Sequence, residues 1–191
     1  MHSATVGALM FVVLVVPSVS AAQEPPDSAA KTFTLSGELQ RGYQNVQRNL
    51  TESAEKMPDE HYGFKPTPEI KPFGQLVAHV ALAQFRTCAM LKDEPNPKKD
   101  EKEDAARSKA DTVALLKASA TYCDPLVTGM TDASAAELTK IGGQNRAAKG
   151  LLAPSLIAHG MEMYGVMSVY LRLKGIVPPS TERESQMKKS Q

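Results

Sequence analysis

The sequence predicts an all-α protein built as a four-helix bundle. Three observations lead there. Four long stretches repeat apolar residues at spacings of three and four, the period of a helix with one buried face. No stretch alternates apolar and polar residues well enough to be a strand. The joins between the stretches carry proline, glycine and charge, which interrupt regular structure. The joins between the first and second and the second and third stretches are long enough for a crossover connection in place of simple up-down order.

The elements follow in order. "MHSATVGALMFVVLVVPSVSAAQEPP" has the form of an export signal: Ala8 to Val16 is an unbroken apolar run, Pro17 breaks it, and Val19-Ser20-Ala21 supplies small residues for cleavage. The run is too short to span a bilayer, which needs about 20 apolar residues. A signal over residues 1–22 and a polar, proline-rich linker over 23–32 are expected, and the mature chain is placed outside the cytoplasm, periplasmic or secreted. From Phe33 to about Lys56, Leu35, Leu39, Val46 and Leu50 share a face, and Pro58 ends the helix. "PDEHYGFKPTPEIKPFGQ" holds four prolines and two glycines and reads as a loop anchored by Tyr62 and Phe64.

A second helix begins at Pro72 or Phe73 and runs to about Leu91, with Phe73, Leu76, Val77, Val80, Thr87 and Leu91 inward and His79 at the edge of the buried face. "KDEPNPKKDEKED" reads as a solvated connection. A third helix is expected from about Glu103 to Val127 on Val113, Leu116, Ala120, Cys123 and Val127, with Pro125 kinking or ending it. A short helix around Ala133 to Thr139 precedes the last long one, from near Gly150 to about Lys174, where Gly175 is a C-cap. The helical domain is set at residues 33–180 and a flexible tail at 181–191.

Lysine plus arginine total 22 against 21 acids, which argues against the net basic face of a nucleic-acid binder. Hydrophobic residues at 42% are enough for a core. In an exported chain Cys88 and Cys123 read either as a disulfide or as two small buried hydrophobes. The sequence holds no GxSxG, HExxH or P-loop.

The candidate chemistry lies in "LIAHGMEMYGVMSVYLRLKGIVPP". At helical spacing Leu156, Gly160, Met163, Met167 and Tyr170 face inward, and His159 lies on the flank. His159 and Met163, four apart, point into the same space. His79 is the natural third contributor to a divalent-metal site of protein ligands plus water; the alternative is a pair of satisfied cleft histidines. His61 reads as an exposed loop histidine, and Glu162 as solvent-facing. Met161, Met163 and Met167 read as a soft copper(I) site or as core packing. The sequon at Asn49 falls inside a predicted helix and carries no weight.

"EKMPDEHYGFKPTPEIKPFGQLVAHVALAQ" followed by "GLLAPSLIAHGMEMYGVMSVYLRLKGIVPPS" resembles the DinB-like family of metalloenzymes over roughly residues 33–180. The resemblance implies a bundle in up-down-down-up order, with a long crossover between helices two and three. It implies a three-histidine metal site, with one ligand in the "LVAHVA" segment, His79, and an HxxxH in the last helix, whose first member is His159. Its second position is Met163, so "AHGMEMYG" stands where the family shows "NHxxEHYG". Some relatives are thiol transferases and others hydrolase-like. If helices two and three run parallel, Cys88 and Cys123 come to the same end of the bundle and can pair.

Three functions are therefore expected in order. The first is an exported domain with an incomplete metal site (His79, His159, with Met163 a weak third), binding a small molecule or partner with little or no metal dependence. The second is a divalent-metal-dependent transferase or hydrolase using zinc or nickel. The third is a homodimeric interaction module. None needs nucleic acid or a membrane span in the mature chain.

Overall fold

The hydroxyl of Thr34 opens the first helix by accepting the Gly37 N–H, and α1 then runs Leu35–Lys56. The computed structural model describes residues 33–141, 143–147 and 149–190. The expected signal and linker lie outside them. Tyr43, Val46, Leu50 and Ala54 form the buried face of α1. Leu35, expected on that face, is exposed; the first turn is tied down by a polar contact, Ser36 N–H to the Asp132 carboxylate at 2.8 Å.

After Pro58 and a 3-10 turn at Asp59–His61, the loop folds back on the core. The Tyr62 hydroxyl donates to the Ala54 carbonyl at 2.6 Å, and its ring meets Phe73 edge-on at 5.4 Å. Helix α2, Phe73–Lys92, starts there. It buries residues nearly all round, and Phe73, Val77, Val80 and Ala81 are almost wholly enclosed. Each such large side chain contributes about 1.5–3 kcal/mol of burial. Asp93, in the left-handed region at φ 56°, ends it.

Helix α3, Lys109–Thr128, starts later than expected because Ser108 caps it, accepting from Asp111 N–H at 3.1 Å. Glu103 therefore belongs to the irregular connection between α2 and α3. Pro125 does not stop α3: it sits in the last turn, where its missing N–H removes at most one bond of the ladder. A short α4, Asp132–Ala136, follows with a capping box between Thr131 and Ser134. Two short strands, β1 Leu138–Ile141 and β2 Gln144–Ala147, then pair antiparallel. The sequence pattern predicted no strand; four polar-rich residues are too few to display alternation, and the turn glycine, Gly143 at φ 80°, was the only cue.

A 3-10 turn at Lys149–Leu151 and a π-helical turn at Ala153–Ala158 lead into α5, His159–Leu173. Gly175, at φ 72°, closes α5 as the sequence predicts. Its N–H bonds the Arg172 carbonyl and the Ile176 N–H bonds that of Leu171, a Schellman motif. The segment expected to trail as a flexible tail is helical instead. α6, Pro179–Lys189, lies against α1 through Lys56 to Glu182 and through Arg183 to Glu52 and Asn49.

Two apolar clusters fill the interior. One gathers Val46, Leu50, Phe73, Val77, Leu116, Met167 and Leu171. The other gathers Tyr43, Val127, Leu152 and Leu156 around the disulfide Cys88–Cys123, whose Cα atoms are 5.5 Å apart. The C-terminal halves of α2 and α3 lie together: the Ser119 hydroxyl donates to Gln84 at 2.7 Å, and Phe85 packs on Tyr122. The start of α1 meets the end of α3 (Tyr43 to Asp124, 3.0 Å), and its end meets the start of α3 (Lys109 to the Glu55 carbonyl, 2.9 Å). Gly42 abuts Ile157 just before α5, and Lys56 reaches Val177 just after it. Among the described residues no helix is long and apolar enough to cross a membrane.

Candidate functional site

His79 sits one and a half turns into α2, at the edge of its buried face and half-buried. His159 is the first residue of α5, delivered by the π-helical turn. Such wide turns rotate the residues that follow them relative to an unbroken α-helix and recur at functional sites. Pro154, inside that turn, has no N–H to give the regular ladder. The two histidines converge: their ring centroids are 5.4 Å apart, edge to face. Met163, one turn beyond His159, is half-buried and packs on the first apolar cluster. Met167 is fully enclosed in that cluster, while Met161 and Glu162 are exposed. His61 ends the turn Asp59–His61, and Asn49 is buried against Arg183, as a core position of α1.

One residue of the candidate site escaped the sequence reading. Glu103, in the connection between α2 and α3, places Oε2 2.8 Å from Nδ1 of His79 and Oε1 3.1 Å from Lys71 Nζ. Burial opposes its charge, but hydrogen bonds from Lys71 and His79 outweigh that and hold its carboxyl below the ordinary range. An ionised carboxylate only accepts, so Nδ1 carries the proton, and in the neutral ring Nε2 is left as an acceptor. No periodicity marks Glu103; it stands in a charged run that reads as solvated surface. Its role comes from where the connection folds. The His159 imidazole is held below its usual value, first by burial, then by the neighbouring His79 and Arg86, with Glu162 working the other way. Its nitrogen is therefore neutral at pH 7.

The donor set does not fit a three-histidine metal centre. Two imidazoles converge, and the side chain one turn beyond His159 is the Met163 thioether, which prefers soft ions. Glu103 contacts the back nitrogen of His79, the outer position that orients a ring, and does not join the two rings at their front. Among the described residues no group of three His, Cys, Asp or Glu side chains is placed to hold a metal ion. Beside His79 lies a cavity of about 500 Å³ between α2 and the connection that follows it. Gln75, His79, Leu82, Ala83 and Arg86 form its α2 wall.

Comparison with known proteins bears on the fold. The chain is similar in structure to a DinB-like protein from Bacillus cereus ATCC 10987, with a TM-score of 0.63 at 16% identity, covering 76% of this chain and 96% of that one. At that identity the likeness concerns the fold. No curated protein matches the sequence. The sequence model of the DinB superfamily matches residues 43–153, which include His79, Glu103 and both cysteines and stop just short of His159. That match spans more than half of the chain, and the protein belongs to the DinB superfamily.

Proposed function

We propose that this chain is an exported DinB-like domain that binds a small molecule in the cleft beside His79, with little or no dependence on a divalent metal. The observation that carries the reading is the pairing of His79 with His159, backed by Glu103, with the Met163 thioether one turn beyond His159. An imidazole oriented by Glu103 on the wall of a cavity, with the His159 ring 5.4 Å from it, suits hydrogen-bonded recognition of a small ligand. Export is supported by the apolar run and small residues at the start of the sequence, and by a disulfide, which persists outside the reducing cytosol. The working domain begins at residue 33 and extends past the expected boundary at 180 to include α6, whose Glu182 and Arg183 tie it to α1. The up-down-down-up order is supported by the contacts that put the C-terminal halves of α2 and α3 together and the ends of α1 and α3 in opposite sense.

Calorimetric titration of the mature protein with zinc and nickel tests this. The parent is expected to bind either ion only weakly, and Met163→His is expected to tighten binding by about a hundredfold or more, roughly 2.7 kcal/mol. Tight stoichiometric uptake by the parent would overturn the reading. Absence of any gain in the variant would mean that a ring at position 163 does not reach the other two.

A further inference from the structure

The cavity beside His79 has a charge pattern that the histidine pair does not explain. Its acids are largely spoken for. Glu103 is engaged by Lys71 and His79, and Glu101 by Arg107 and Lys98. Arg86, Lys99, Lys102 and Asp104 also line it, and none of their side chains has an ion pair or hydrogen bond among the described residues. Three unengaged cations thus face one unengaged carboxylate. The surplus is positive in a concave site whose middle, Leu82 and Ala83, is apolar.

Arg86 and His79 stand seven residues apart on one wall of the cavity, about two helical turns or roughly 10 Å. A guanidinium presents a planar fork of donors that matches a carboxylate. Nδ1 of His79 is committed to Glu103, which leaves Nε2 as the nitrogen available to a ligand. Between the two lies a short apolar strip. We propose that the cavity selects a small organic acid bound in extended form, its carboxylate on Arg86, its aliphatic stem over Leu82 and Ala83, and a hydroxyl hydrogen-bonded to Nε2 of His79. This rests on the reading of the cleft as a small-molecule site and names the class of molecule. Lys99 and Lys102, on the facing connection, add attraction without fixed geometry.

The test is an NMR titration of the mature full chain, labelled at its histidine and arginine side chains. The probes are ω-hydroxy carboxylates from glycolate to hydroxyhexanoate and the corresponding neutral amides. The acids are expected to shift the His79 ring and Arg86 Nε resonances and to bind at least about tenfold more tightly than the amides. Arg86→Gln, at an exposed position where folding is not at stake, is expected to abolish that preference with the circular dichroism spectrum unchanged. Amides that bind as well as acids while shifting His79 would sink the acid-selective claim and leave the small-molecule reading standing. If neither class shifts His79, both fall. An acid preference that survives in Arg86→Gln would also overturn the proposal, since the anion would then sit elsewhere.

Discussion

Glu103 accepts from Lys71 and His79 at once, and its folded-state carboxyl is depressed. A group of that kind stabilises the fold fully above its unfolded value, and the contribution disappears as pH falls through the folded value. Urea-unfolding midpoints taken between about pH 7 and about pH 3 are expected to fall less steeply for Glu103→Gln than for the parent, because the variant has no carboxylate to protonate. Equal slopes would mean that the contact with His79 and Lys71 does not persist in solution. The effect will be modest, as the carboxylate is partly exposed and screened by water. His159 shows a different balance, where burial outweighs the attraction of Glu162 and lowers the ring's affinity for a proton.

At the scale of elements, α1 and α5 approach closely at one glycine. A Cβ at Gly160 would collide with Cγ1 of Val46 and stand 3.6 Å from Leu50, inside a fully packed cluster. Gly165, on the same helix, has nothing within 4 Å of that position. Gly160→Ala should therefore destabilise by about 1–3 kcal/mol through overpacking, whereas Gly165→Ala should stabilise by up to about 1 kcal/mol through helix propensity. Urea titration of the two variants reads both signs, and a neutral Gly160→Ala would place the helices further apart than described here. The helices themselves were legible because their burial has a period: α2 and the inward face of α5 stand where the apolar repeat put them. What periodicity could not reveal was set by local chemistry. Ser108 decides where α3 begins, Gly143 makes a hairpin of two unremarkable tetrapeptides, and salt links to α1 hold α6 where composition suggested a tail. The histidine pair was legible from spacing and resemblance. Glu103, whose place depends on a connection with no repeat, was not.

For the molecule as a whole, the Cys88–Cys123 bond ties the second apolar cluster and closes a loop of 35 residues. A cross-link of that span stabilises by about 3–4 kcal/mol, chiefly by limiting the unfolded chain. Chemical unfolding of Cys88→Ala/Cys123→Ala should show a loss of that size, and a loss under about 1 kcal/mol would mean that the unfolded chain is already restricted there. That loop also contains the whole connection from Asp93 to Ser108, which supplies Glu103, Lys99 and Lys102 to the cavity. One wall of the cleft is thus rigid helix and the other is irregular chain. Rewriting the irregular wall alone would give the bundle a new chemical preference without disturbing its core, so lineages sharing this scaffold can diverge in ligand while keeping the same helices.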